Sequence, residues 1–135
     1  MSCKIALRDV YKGYTLDLDK MVTPEETVRR FREKLKTIDL DLLEETVRID
    51  KGRLDIPVYF SVCGRDAAGV IGTKKQMGKG GTPQQAEASA VMELAERFSF
   101  FSFYKDPSNF IFEEYRNVEE QALPFEYIAQ SVHDE

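Results

Sequence analysis

The sequence has no tryptophan, one histidine and two cysteines among its 135 residues. The single histidine, His133, lies at the end of the chain, so a histidine-based catalytic triad and a zinc centre are both excluded. Cys3 and Cys63 are too few for a disulfide framework and read as free thiols without a catalytic role. No apolar run approaches the length of a membrane span, and the first residues lack the charged-then-apolar pattern of a signal peptide; no membrane partner and a cytoplasmic location are expected. An excess of positive charge is also missing. With 19 basic and 24 acidic residues the formal charge is −5, which leaves no broad footprint for nucleic acid. Internal repeats and low-complexity tracts are absent.

What is present suits one globular domain over residues 1–135, with 42% hydrophobic residues to build a core. Residues 1–19, with Lys4-Ile5-Ala6-Leu7 and a polar stretch around Gly13, read as an extended lead-in that pairs with a sheet edge. Thr23-Pro24-Glu25-Glu26 is a helix start, and Val28, Phe31, Leu35 and Ile38 recur at helical spacing, which predicts an amphipathic helix over 24–37. Leu42 to Ile49 and Ile56 to Cys63 read as two antiparallel strands around the turn Asp50-Lys51-Gly52-Arg53. In the second strand Val58, Phe60 and Val62 share one face and Tyr59, Ser61 and Cys63 the other, the pattern of a sheet packed mainly on one side. A turn at Arg65-Asp66-Ala67-Ala68-Gly69 and a third strand beginning at Val70-Ile71-Gly72-Thr73 complete an α+β fold. Its antiparallel or mixed sheet is flanked by helices starting near Pro24 and Pro83. The aromatic run Phe98, Phe100, Phe101, Phe103 and Tyr104 reads as core or interface, and Asp106-Pro107 ends the second helix.

The densest stretch runs from Gly78 to Arg97, a flexible loop feeding a helix. Thr82 offers a capping hydroxyl, Pro83 suits the first helical position, and Gln85 completes a capping box. The alanines Ala86, Ala88, Ala90 and Ala95 let another element come close. At 100° per residue, Ser89, Glu93, Glu96 and Arg97 fall on one stripe and Val91, Leu94 and Phe98 on another. Glu93 and Glu96 are one turn apart, near enough for both carboxylates to meet a hard cation such as Mg²⁺. Gly78, Gly80 and Gly81 free the backbone to turn N–H groups toward a ligand, Lys79 adds positive charge, and the first helical turn favours an anion. Together these parts suit a metal-bound phosphate. Each alone also describes a solvated helix face or a plain turn. The stretch is not a P-loop: the frame beginning at Gly72 puts Met77 where the second glycine belongs, and Gly80 follows Lys79 where that motif wants Ser or Thr.

The runs Gly78-Lys79-Gly80-Gly81-Thr82, Gln85-Ala86-Glu87-Ala88-Ser89-Ala90 and Glu93-Leu94-Ala95-Glu96-Arg97 resemble the signature of the YcaO family. The resemblance implies the N-terminal portion of a larger YcaO-type domain, from an ATP-dependent enzyme that activates peptide backbone amides. Glu93 and Glu96 would hold Mg²⁺ bridging the nucleotide phosphates. It also implies nucleotide-binding roles for Lys20 before the first helix, Thr27 in its first turns, and Lys79, Ser89 and Arg97. No catalytic residue is assigned within these 135 residues, and the isolated chain is expected to turn over little or nothing. The family includes azoline-forming cyclodehydratases, thioamide-forming enzymes and methylthiotransferase accessory factors. The expected partners are therefore a peptide or protein substrate and a sulfur-delivering or leader-binding protein. Nothing at the N-terminus resembles a leader-binding module, which favours the stand-alone or partner-assisted types. The rival reading is a non-enzymatic interaction module, with the aromatic run as its interface. Exposed aromatics also make a homo-oligomer an expectation.

Overall fold

The computed structural model describes residues 7–12, 20–52 and 54–132. They fall into two compact units, Met1–Ser102 and Phe103–Glu135. Most of the lead-in expected over 1–19 lies outside the described residues, and residues 7–12 are exposed and irregular. His133 and Cys3 also lie outside them.

In the first unit, helix α1 (Pro24–Leu35) starts where its cap predicts: the Glu26 N–H donates to Thr23 Oγ1 at 3.1 Å, with Pro24 at the first helical position. Val28 is buried, and Phe31, Leu35 and Ile38 pack against a core of Leu42, Cys63, Ala67 and Leu94. Arg29 donates to both Glu26 and Glu33 on the outer face. The guanidinium of Arg29, with that of Arg30, holds the Glu26 carboxyl down at about 2.

Strands β1 (Leu43–Arg48), β2 (Val58–Cys63) and β3 (Lys75–Lys79) form an antiparallel sheet in the order β1-β2-β3. Asp50 closes the first hairpin, accepting from Arg48 at 2.8 Å and from the Val58 N–H at 3.0 Å. The sheet is covered on the face of Ser61 and Cys63, both buried. Val58, Phe60 and Val62 lie half-buried on the other face, so the more apolar side of β2 is the less covered one. Burial pushes the Cys63 thiol up, which suits an unreactive packing group.

Two boundaries differ from the sequence reading. Residues 65–71 form helix α2 (Arg65–Ile71) in place of a turn and a strand start. Gly72 ends it in the left-handed region at φ 82°, a conformation glycine adopts at no steric cost. The third strand therefore starts later, at Lys75, and takes in Gly78 and Lys79, leaving only 80–82 as the loop before helix α3 (Pro83–Lys105).

Helix α3 lies very close to the sheet. Ala86, Ala90, Val91 and Leu94 are its buried residues, and the Ser61 hydroxyl donates to the Ala90 carbonyl at 2.7 Å. The glycines of the loop reading have a packing reason: a Cβ on Gly78 would sit 2.0 Å from Ala90 N, and one on Gly80 would sit 2.5 Å from Gln85 Cβ. A half-buried network then ties three elements together. Thr46 Oγ1 on β1 donates to Glu87 Oε1 on α3 at 2.7 Å, and Arg32 Nη2 on α1 donates to both, at 2.9 and 3.3 Å. Glu87→Ala removes the shared acceptor, and about 1 kcal/mol of stability should go with it, read as a lowered urea midpoint at unchanged slope.

In the second unit Asp106 caps a short 3-10 turn at Pro107–Asn109, and the rings of Phe103 and Tyr104 meet Phe110 edge-on at 5.6 and 5.8 Å. Helices α4 (Tyr115–Val118) and α5 (Phe125–Ser131) follow. None of its described residues is buried. Among the described residues no helix is long and apolar enough to cross a membrane.

Candidate functional site

Beside the N-terminal half of α3 lies a pocket of about 410 Å³, within the size range of small-molecule sites. Three stretches distant in sequence build it. Lys20, Val22, Pro24 and Thr27 come from the approach to α1 and its first turns; Lys79 and Gly80 come from the end of β3; Gln85, Ala88, Ser89 and Met92 come from α3. Four of the residues assigned to nucleotide, Lys20, Thr27, Lys79 and Ser89, thus share one cavity.

The local reasons are visible. Thr23 and Pro24 fix the start of α1, so that Thr27 lies one turn into it. Thr27 Oγ1 donates its proton to the Thr23 carbonyl at 3.0 Å and keeps its lone pairs as acceptors. At the other helix, Thr82 Oγ1 accepts from the Gln85 N–H at 3.2 Å, while Gln85 Oε1 accepts from the Gly81 N–H at 2.9 Å. The expected capping box is therefore made one residue earlier on its return bond, and it pins the short loop over the pocket end of β3. Lys20 and Lys79 form no ion pair with any described residue. Two ammonium groups with no ion pair to the described residues, on a pocket where Val22, Pro24, Ala88 and Met92 stand beside Thr27, Gln85 and Ser89, favour a ligand with an anionic end and an apolar body.

Glu93, Glu96 and Arg97 are outside the pocket lining. They continue its wall, because Gln85, Ser89, Met92 and Glu96 follow one another at helical spacing along α3, with Glu93 beside Glu96. Arg97 Nη2 lies 3.1 Å from Glu93 Oε1. Glu96 is exposed and has no ion-pair partner among the described residues. No group of three or more His, Cys, Asp or Glu side chains among the described residues could hold a metal. This donor set does not suit a cation caged wholly by protein. It does fit Mg²⁺, which takes one or two carboxylates and completes its octahedron with phosphate oxygens and water.

Sequence reasoning gave no pocket role to Val22, Ala88 or Met92. The signal available was their spacing: Ala88 and Met92 flank Ser89 on the same side of the helix.

A protein of Methanothermobacter thermautotrophicus described as uncharacterized is 37% identical over 78 residues, which make up 58% of this chain and 19% of that protein. The match spans about a fifth of its length. No solved structure matches the chain. Residues 77–135 match the family model described as YcaO cyclodehydratase, ATP- and Mg²⁺-binding, a stretch that takes in Lys79, Ser89, Glu93, Glu96 and Arg97 and leaves out Lys20 and Thr27. Over these residues, from the end of β3 through α3 and onward, the chain is similar to the YcaO family.

Proposed function

We propose that this chain carries part of the Mg-ATP site of an enzyme that activates peptide backbone amides. The observation that supports it best is the convergence of Lys20, Thr27, Lys79 and Ser89 on one pocket, with the stripe of α3 running on to Glu93 and Glu96. Bound Mg-ATP would supply a phosphoryl group to the amide oxygen, making that oxygen a leaving group. The chain's own residues bind and orient. Lys20 and Lys79 draw in phosphate charge, Thr27 and Ser89 offer hydroxyls, and Glu93 and Glu96 hold the cation. Val22, Ala88 and Met92 keep water from the apolar part of the nucleotide. A neighbouring Cys, Ser or Thr side chain would attack the amide carbon before or during phosphoryl transfer and, as phosphate leaves with the amide oxygen, give an azoline; a sulfide attacking in its place would give a thioamide. A supporting role in methylthiolation of a protein would use the same site with a partner.

Calorimetric titration of Mg-ATP tests this reading, in the 135-residue chain and in a full-length protein carrying it. Magnesium-dependent binding, weaker in the chain alone, is expected, with a further loss of about tenfold on Lys79→Gln from the missing charge-assisted contact. Absence of magnesium-dependent binding in both proteins would sink it.

A further inference from the structure

The β3 strand ends at the pocket, and among the described residues its outer edge pairs with no other strand. The Cys63 N–H donates to the Lys74 carbonyl and the Gly80 N–H to the Pro57 carbonyl, which fixes the phase of the β2–β3 ladder. In that phase Gln76 and Gly78 direct their N–H and C=O groups at β2, whereas Lys75, Met77 and Lys79 direct theirs away from it. Among the described residues β3 has no neighbour on that side in the sheet. The side chains of Lys75, Met77 and Lys79 are exposed on one face, and Lys74 precedes them. This is a basic edge, unpaired among the described residues, in a chain of net charge −5. Lysines on an edge strand commonly guard against aggregation. Here they also flank a strand whose last residue, Lys79, lines the pocket with Gly80 just beyond it.

We propose that the free edge of β3 docks an extended acidic peptide, which adds a strand to the sheet and so delivers its backbone to the pocket. The proposal rests on reading the pocket as an amide-activating site. Main-chain bonds to Lys75, Met77 and Lys79 supply affinity without regard to sequence, as in other strand additions. Acidic side chains opposite Lys75 and Lys79, with an apolar one opposite Met77, supply the preference.

The probe is the capped heptapeptide Thr-Glu-Thr-Val-Thr-Glu-Thr, titrated into the 135-residue chain. Binding should fall about tenfold or more on Met77→Pro, which removes an outward N–H and no β2–β3 bond. As a control independent of protein folding, N-methylating the peptide at alternate residues should weaken binding in one phase and leave it unchanged in the other. Absence of binding, or equal effects in both phases, would overturn the proposal in favour of charge alone. A dimer of the chain that Met77→Pro dissociates would give the edge to a second copy and likewise overturn it. Phase-dependent peptide binding in a protein that fails to bind Mg-ATP would keep the edge and remove the pocket reading.

Discussion

Gly78→Ala should cost about 3 kcal/mol of stability, and Gly78→Val should prevent folding. A Cβ there would lie 2.0 Å from Ala90 N, 2.3 Å from Ala86 O and 2.7 Å from Ala90 Cα. All three are helix backbone atoms, so nothing can rotate aside, and relief requires α3 to move off the sheet. That movement would stretch the bond from Ser61 Oγ to the Ala90 carbonyl and open the seam around Ala86 and Ala90. Gly81→Ala is the contrast. Its Cβ would meet only Gln85 Oε1, at 3.2 Å, the end of a flexible side chain, and a change within about 0.5 kcal/mol is expected. Urea unfolding of the three variants checks both statements. A Gly78→Ala protein with the parent midpoint would show that α3 leaves room for a methyl group at Gly78.

That close seam explains why one half of the signature stretch was legible in the sequence and the other half was not. The start of α3 is written in local chemistry, with Thr82, Pro83 and Gln85 placed where a helix needs them, and the alanines announce a close neighbour. The glycines before it are ambiguous, because a glycine that bends a loop and one that admits a helix look alike in sequence. Only the register of β3, with Gly78 facing Ala86 and Ala90, tells them apart. α2 was missed for a related reason. Arg65 to Ile71 spans only two turns, too few for a periodicity to develop, and its real signals are Gly64 before it and Gly72 after it. The pocket is a third case. Lys20 and Thr27 are far in sequence from Lys79 and Ser89, and no local rule brings them together. The family resemblance named them, and the fold places them around one cavity. What no pattern in the sequence showed is that the Val58, Phe60 and Val62 face of β2 would be the less covered one, since alternation marks two faces and does not say which one a helix will take.

The second large effect is expected at the two glutamates. Glu93→Gln combined with Glu96→Gln should leave the urea midpoint within about 0.5 kcal/mol of the parent, because neither side chain is buried. Glu93 loses only a surface pair with Arg97, 3.1 Å away and half exposed. Magnesium-dependent ATP binding by a full-length protein carrying this sequence should nevertheless fall by about a hundredfold, or about 2.7 kcal/mol. An amide oxygen is a far weaker ligand for a hard cation than a carboxylate, and the nucleotide would then bring its charge without the ion that bridges it to the helix. The single variants separate two roles for Arg97. Glu93→Gln frees its guanidinium, so if Arg97 reaches phosphate, this change should cost less than Glu96→Gln. Equal losses would give the two carboxylates equal shares of the ion and leave Arg97 a surface partner. Binding that survives the double change would remove the metal from α3 altogether.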